Sequence, residues 1–192
     1  LFSFLMFGFI FMMLPRAAAS GARIWEVLSS EGKLNDPEQP VSPQKDGTVV
    51  FDNVTFAYPG AEQPTLENIN FTAKRGETVA IIGGTGSGKS TIGGLLMRFF
   101  DVSGGNVFVD GTDVREMTQS DLHDRIGYVP QTAKLITGTI LDNIKFGNPG
   151  VTDEQAVAAA KTAQAEEFIT GREDGMNAEV TQSGTNLSGG QK

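Results

Sequence analysis

One glycine-rich segment constrains the fold of this chain more than any other part of its sequence. It reads Gly83-Gly84-Thr85-Gly86-Ser87-Gly88-Lys89-Ser90-Thr91 and satisfies the pattern G-x-x-x-x-G-K-[ST]. The short β-branched run from Glu77 to Ile82 before it is typical of a buried strand, and residues 90–100 after it favour an apolar helix. A strand, a glycine-rich loop and a helix in this order predict a loop that wraps phosphate groups. A flexible surface loop is the alternative, which the flanking strand and helix disfavour.

Each residue type in this segment has a physical reason to be there. Phosphates need convergent backbone N–H donors, and the backbone can curl around them at glycines because a positive φ costs glycine little. Gly84, Gly86 and Gly88 provide that freedom. We expect Lys89 to reach the β- and γ-phosphates and the Ser90 hydroxyl to bind Mg²⁺. The helix that follows directs its positive end at the anion.

The remaining hydrophobic pattern predicts an α/β domain. Further strands are expected at residues 49–58, 66–73, 107–110 and 126–129. A long helix is expected from Asp153 to about Phe168, because Thr152 and Gln155 form the capping-box pattern at its start. Strands that alternate with helices indicate the α/β class.

Composition excludes several other classes of protein. The chain of 192 residues has no cysteine, which excludes disulfides and thiolate zinc sites. Its formal net charge of −8 repels the phosphate backbone of nucleic acids, so we expect no nucleic-acid partner.

The N-terminal run from Leu1 to Leu14 is apolar except for Ser3 and carries no charge. As a helix it would be about 21 Å long, shorter than the hydrocarbon core of a bilayer at about 30 Å. A signal peptide, a buried soluble helix and a transmembrane helix whose beginning is missing are the three interpretations. The first lacks a basic start and the second a polar stripe, so the third is favoured. Residues 35–48 contain three prolines and predict an extended linker rather than a packed element.

A second glycine-rich segment lies near the end of the chain and reads Leu187-Ser188-Gly189-Gly190-Gln191-Lys192. Together with the first segment it resembles the ATP-binding cassette (ABC) family, whose signature reads LSGGQ, and the resemblance covers essentially the whole chain. It implies a P-loop NTPase domain (an ABC ATPase domain) at residues 49–192, truncated after the signature. It also implies a linker at 35–48 and, at 1–34, an α-helical transmembrane remnant, the end of the last transmembrane helix with its cytoplasmic extension.

The resemblance also implies nucleotide contacts. In this family ATP lies between the phosphate loop of one domain and the signature of a second domain. The signature residues of this chain would thus contact, in trans, the ATP held by the other domain, and they are Ser188, Gly189, Gly190 and Gln191. Tyr58 matches the aromatic residue that stacks on adenine, with ordinary strand packing as the alternative. Gln131 matches the glutamine that contacts Mg²⁺ or the attacking water, with a plain surface glutamine as the alternative.

The cofactors that the resemblance implies are ATP and Mg²⁺, with Ser90 and Gln131 as metal ligands. The residues expected to bind nucleotide within one chain are Tyr58, Gly83, Gly84, Thr85, Gly86, Ser87, Gly88, Lys89, Ser90, Thr91 and Gln131. No catalytic residue is expected in this chain, because the Mg²⁺-binding Asp (the Walker B Asp), the catalytic Glu and the switch His of the family follow the signature. We expect the intact protein to hydrolyse ATP and this chain alone to bind nucleotide without turnover.

The function implied is that of an exporter-type half-transporter, similar to multidrug or lipid exporters, in which ATP binding and hydrolysis drive transport across a membrane. Its expected partners are a second nucleotide-binding domain, identical or not, its own transmembrane domain and an unidentified transported substrate. The helical remnant is expected in the plasma or inner membrane, with the nucleotide-binding domain in the cytoplasm. Two other hypotheses stay open: an ABC-type ATPase that transports nothing, and a nucleotide-binding module without turnover.

Overall fold

A long helix, α1 (Phe2–Leu28), occupies the N-terminal part of the computed structural model, which describes residues 2–30, 32, 34–148 and 150–192. Leu1, Glu31 and Lys33, which belong to the predicted segment 1–34, lie outside the described residues.

α1 extends well beyond the apolar run seen in the sequence. Pro15 lies inside the helix, where it has no N–H to donate to the carbonyl of Phe11 and so interrupts the hydrogen-bond ladder. The large apolar side chains of α1 that the structure describes are exposed; Phe4 is 86% exposed and Phe11 is 75% exposed. In the part of the chain that the structure describes, no helix combines the length and the apolar character needed to cross a bilayer.

Strand β1 (Val49–Phe56) is the centre of the sheet in the first unit of the chain, Leu1–Tyr128. It pairs antiparallel with β2 (Leu66–Ala73) along one edge and with β3 (Gly104–Val109) along the other. A short strand, β4 (Thr112–Asp113), pairs with β3, so the sheet order is β2-β1-β3-β4. The sequence predicted the first three of these strands, with small shifts at their ends.

The core of this unit lies between the sheet and two helices, α2 (Lys89–Leu96) and α3 (Gln119–His123). Its most deeply buried side chains are those of Phe51, Val54, Leu95, Val107, Met117 and Leu122. Phe51 also stacks on Phe71 of β2, with ring centroids 4.6 Å apart. Each fully buried side chain of this size contributes about 1.5–3 kcal/mol, so the core holds α2 firmly against the sheet.

The second unit, Val129–Lys192, is mainly helical. It contains α4 (Ile140–Lys145), α5 (Asp153–Thr162) and α6 (Glu166–Thr170), two 3₁₀ turns at Gly175–Asn177 and Gln182–Gly184, and a pair of two-residue strands, β5 (Gly138–Thr139) and β6 (Glu179–Val180). Its core cluster consists of Ile140, Ala160, Ile169, Ala178, Val180 and Leu187.

Two predicted strands are absent from the described part of the chain. Residues 77–82 and 126–129 form neither strand nor helix, and Ile82 and Val129 are 93% and 92% exposed. An apolar run becomes a strand only when a neighbouring strand pairs with its N–H and C=O groups. Neither run pairs with another described strand. The prediction of strands at these two places is therefore wrong for this structure.

The helix predicted from Asp153 to Phe168 is divided into α5 and α6. Gln164, between them, has a positive φ of 58°, which an α-helix cannot accommodate. The predicted capping box is confirmed, since Thr152 accepts the N–H of Gln155 and the Gln155 side chain accepts the N–H of Thr152.

The predicted linker, residues 35–48, is extended and mostly exposed, and we call it the strap. It forms neither helix nor strand, yet it is hydrogen-bonded to the rest of the first unit along most of its length. These bonds, between 2.8 and 3.2 Å, join Asn35 O to Arg98, Asp36 Oδ1 to the N–H of Gln119, the N–H of Val41 to Glu116 O, and Ser42 Oγ to Arg125. The strap is therefore an extended and mostly exposed segment, as the prolines predict, and the domain bonds its polar groups, which the sequence did not predict.

The strap ends at a buried ion pair. The Asp110 carboxylate accepts the N–H groups of Asp46 and Gly47 at 3.0 and 2.6 Å, and Arg125 donates to it at 2.9 Å. The side chains of Asp110 and Arg125 are only 4% and 6% exposed. Burial raises the pKa of Asp110, but the bonds from Arg125, Gly47 and Asp46 outweigh it and hold that pKa below its usual value. Asp110 is therefore charged in the folded protein and fastens the strap.

Replacement of Asp110 by asparagine tests this fastening. We expect Asp110→Asn to lower the free energy of unfolding by about 2 kcal/mol at pH 7, since hydrogen bonds to charged groups contribute about 1.5–3 kcal/mol. Because the folded pKa of Asp110 lies below the unfolded value, its stabilisation is complete above about pH 4 and is lost as the pH falls through the folded value. Urea titrations at several pH values measure both effects.

The matched control is Asp124→Asn, at an exposed carboxylate of the same unit. It should leave the unfolding free energy within about 0.5 kcal/mol of the unsubstituted chain. Equal losses for Asp110→Asn and Asp124→Asn would contradict a special role of Asp110.

Candidate functional site

The glycine-rich loop leads into α2, and the N-terminus of α2 has no side-chain cap. Its N-cap residue is Gly88, with φ 84°. Helices α3, α4 and α5 differ, because Thr118, Thr139 and Thr152 each accept a backbone N–H of the first helical turn. The first N–H groups of a helix have no partner within it. In α2 they therefore remain as donors for a ligand, at the end where the helix dipole is positive.

The ammonium group of Lys89 lies against the loop. Its Nζ donates to the carbonyl oxygens of Gly83 at 2.9 Å and Gly84 at 2.6 Å, and to Ser87 Oγ at 3.4 Å. Lys89 is the first residue of α2, so its side chain turns back and brings a positive charge to the loop before the helix. A cation and uncapped N–H groups together favour an anion with several oxygens, such as a polyphosphate.

The shape of the loop requires glycine at Gly88, whereas at Gly83 a Cβ would meet only a side chain that can rotate away. A Cβ at Gly88 would lie 2.6 Å from Cδ2 of Leu66 in β2, and a Cβ at Gly83 would lie 2.5 Å from Ser87 Oγ. At Gly84 a Cβ would meet nothing within 4 Å. The loop thus approaches β2 so closely that only glycine fits at Gly88.

The two residues after Lys89 differ in exposure. Ser90 is exposed on the first turn of α2, where its hydroxyl can bind a metal ion as the sequence predicts. Thr91 is only 6% exposed, and its Oγ1 lies 3.0 Å from the hydroxyl of Tyr58. The Thr91 side chain is therefore already engaged by the protein.

Tyr58 lies just after β1 in an aromatic cluster. Its ring meets Phe56 and Phe100 edge to face, with centroids 4.9 and 5.3 Å apart. Tyr58 nevertheless stays 39% exposed. The structure thus shows Tyr58 packed against other aromatic rings, which was the alternative interpretation, and its stacking on a base stays a prediction.

Gln131 and the signature segment, residues 187–191, lie in the second unit. Gln131 is exposed in a bend. Ser188 begins a turn in which Gln191 Oε1 accepts the N–H of Ser188 at 3.0 Å, which is half of a capping box. The backbone of Gly189 and Gly190 is exposed within this turn. The contacts of these residues with a nucleotide stay predictions.

Asn186 is a residue that the sequence analysis did not single out. Its Nδ2 donates to the carbonyl of Glu179 at 2.7 Å, and its Oδ1 accepts the N–H of Thr181 at 3.2 Å. The carbonyl of Asn186 accepts a bond from Arg172 at 3.3 Å. Asn186 thus fastens the signature segment to β6. These bonds belong to no motif that the sequence analysis used, so the residue type alone does not signal this role.

The residues of the loop fit a nucleoside triphosphate with Mg²⁺. Glycines leave room for phosphates, the start of α2 offers uncapped N–H donors, Lys89 supplies positive charge and Ser90 offers an exposed hydroxyl. The structure brings these groups and Tyr58 together in the first unit.

Comparisons with known proteins agree with this chemistry. A family model described as "ABC transporter" matches residues 66–192. An uncharacterized ABC transporter ATP-binding protein of Mycobacterium tuberculosis is 43% identical over 185 residues, covering 94% of this chain and 31% of that protein. A multidrug efflux ATP-binding/permease protein of the same species is 41% identical over 177 residues, covering 92% of this chain and 15% of that protein.

A solved structure of a bacterial Atm1-family ABC exporter with ATP bound is also similar. The TM-score is 0.87 and the sequence identity 34%, over 97% of this chain and 33% of that one. This chain spans about a third or less of the length of these proteins.

Replacement of Gly88 by alanine tests the close approach of the loop to β2. We expect Gly88→Ala to lower the free energy of unfolding by about 2 kcal/mol, because a Cβ at positive φ costs about 1–2 kcal/mol and would overlap the Leu66 side chain. Gly84→Ala is the matched control and should change it by less than about 0.5 kcal/mol. Thermal and urea unfolding of both variants provide the measurement. Equal destabilisation by the two substitutions would contradict this description of the loop.

Proposed function

Because the chain belongs to the ABC transporter family and carries an ATP-binding domain of the exporter type, we propose that it couples ATP to the movement of a substrate across a membrane. The observation that carries the proposal is the uncapped N-terminus of α2 with the Lys89 ammonium on the adjoining loop. The transport itself is proposed for the protein of which this domain is a part.

In this proposal the triphosphate binds along the loop and the first turn of α2. Lys89 exchanges the carbonyls of Gly83 and Gly84 for the β- and γ-phosphates. This exchange is favourable because an ammonium binds a charged phosphate oxygen more strongly than a neutral carbonyl. Ser90 and Gln131 hold Mg²⁺, which supplies positive charge to the phosphates.

The exposed ring of Tyr58 stacks on the adenine. Its support is that Tyr58 stays 39% exposed within its aromatic cluster.

The signature segment binds the nucleotide of a second domain, which is a second copy of this chain or a related subunit. Ser188, Gly189, Gly190 and Gln191 contribute to this contact. Two observations support this contact. The Gln191 side chain accepts the N–H of Ser188, which holds the turn in shape. Ser188, Gly189 and Gly190 are exposed and can face a partner. A helical turn with exposed N–H groups at its start suits the γ-phosphate.

The intact protein hydrolyses ATP in this proposal, whereas the chain of 192 residues binds it without turnover. The basis is the resemblance, in which the Asp that binds Mg²⁺ and the Glu that polarises water come after the signature. Phosphoryl transfer depends on such groups for positioning and charge stabilisation.

We further propose that residues 1–34 form the end of a transmembrane helix with its cytoplasmic extension. The strap then joins this helix to a nucleotide-binding domain at residues 49–192 in the cytoplasm. Two features support this arrangement: the exposed phenylalanines of the first half of α1 and the position of Arg16 directly after the apolar run.

Replacement of Lys89 by alanine tests the phosphate-binding role. Since hydrogen bonds between charged groups contribute about 1.5–3 kcal/mol and 1.4 kcal/mol is a factor of ten, we expect Lys89→Ala to weaken MgATP binding about 50-fold. Titration calorimetry of the full 192-residue chain with MgATP measures the affinity. Release of phosphate is followed in the same samples.

The matched control is Lys134→Ala, at an exposed lysine of the second unit. It should bind MgATP like the unsubstituted chain, and no sample should release phosphate. An unchanged affinity of Lys89→Ala would refute its phosphate contact. Mg²⁺-dependent turnover that Lys89→Ala abolishes would refute the absence of hydrolysis.

Flotation with phosphatidylcholine liposomes tests the membrane proposal. We expect the chain to float with the lipid even at high salt, because burial of apolar surface rather than charge drives the association. Phe7→Asp combined with Phe11→Asp, on one face of α1, should leave the protein at the bottom of the gradient. Phe146→Asp, at a phenylalanine of the second unit that is 69% exposed, should float like the unsubstituted chain. Recovery of the unsubstituted chain at the bottom of the gradient, separate from the liposomes, would contradict the proposal.

A further inference from the structure

We propose that Thr91 is a positioning residue that holds the ring of Tyr58 in place for adenine. This inference rests on the proposed function, in which Tyr58 stacks on the base. It assigns to Thr91 an action through another residue, where the sequence predicted a direct contact with the nucleotide.

The bond between the two side chains carries the inference. The Tyr58 hydroxyl lies 3.0 Å from Thr91 Oγ1, within hydrogen-bond distance. Thr91 is 6% exposed, so water competes poorly for its hydroxyl. The 33 residues between the two positions make this a tertiary contact that joins the segment after β1 to the first turn of α2.

The aromatic neighbours restrict the ring in the remaining directions. Phe56 meets it at an interplanar angle of 80° and Phe100 at 85°, so both contacts are edge to face. Such contacts are favourable only in particular ring orientations. Three contacts from β1, from α2 and from the segment after α2 thus fix one orientation of the ring, while Tyr58 as a residue stays 39% exposed.

Thr91 lies two residues after Lys89, in the same helical turn. The bond therefore ties the ring to the helix that holds the phosphate-binding lysine. A pre-oriented ring costs less conformational entropy when a base stacks on it. The expected effect is on the affinity for the base and not on the affinity for the phosphates.

The experiment compares MgATP with magnesium tripolyphosphate, which has the phosphates and no base. Tyr58→Phe keeps the stacking surface and removes the hydroxyl, and Thr91→Val removes the other partner. We expect each variant to bind MgATP about 3- to 10-fold more weakly, the effect of one hydrogen bond. Tripolyphosphate affinity should not change. The double variant should lose no more than either single one, because both remove the same bond.

Two further variants serve as controls in the full 192-residue chain. Thr91→Ser keeps a hydroxyl and should bind MgATP like the unsubstituted chain. Tyr128→Phe is matched chemically, at the other tyrosine, and should bind MgATP like the unsubstituted chain. Thermal unfolding of each variant separates loss of binding from loss of fold.

The outcomes separate this inference from the proposed function. Equal binding of MgATP and tripolyphosphate by the unsubstituted chain would refute stacking on adenine, and the role of Thr91 with it. A preference for MgATP that Tyr58→Phe leaves intact would overturn the role of Thr91 alone. A loss of tripolyphosphate affinity in Thr91→Val, equal to its loss of MgATP affinity, would show a direct phosphate contact and overturn it as well.

Discussion

Strand β1 is hydrogen-bonded along both of its edges, and the rest of the first unit depends on this pairing. Its partners β2 and β3 complete the backbone bonds that a buried strand requires. Phe51 and Val54 are an odd number of residues apart, and both face one core, on which α2 rests, because β1 is irregular between them. The sheet positions the phosphate-binding loop, because Gly88 packs directly against Leu66 of β2.

The same constraint separates what the sequence could predict from what it could not. The capping box at Thr152 and the glycine-rich loop are local patterns, so they could be predicted from neighbouring residues. The strands predicted at 77–82 and 126–129 need partners from elsewhere in the chain, and an apolar run contains no information about whether a partner is adjacent. The break at Gln164 likewise depends on a backbone conformation that no residue type enforces.

At the candidate site, the sequence identified the residue types and the structure added their connections. Lys89, Ser90 and the glycines follow from the motif alone. The bond from Thr91 to Tyr58 and the bonds from Asn186 to its neighbours join residues that are distant in sequence or belong to no known pattern. These connections determine how firmly the binding groups are oriented, which a motif cannot express.

The strap has a mechanical consequence. α1 ends at Leu28, and among the described residues after it Asn35 is the first that is hydrogen-bonded to the domain. The stretch from Leu28 to Asn35 can span at most about 25 Å, whereas an unanchored stretch from Leu28 to residue 48 would span about 70 Å. A long slack tether would absorb a rotation of the domain before α1 felt any pull. With the short one, a smaller rotation would reach the helix, and the bond between Asn35 and Arg98 would bear the load first.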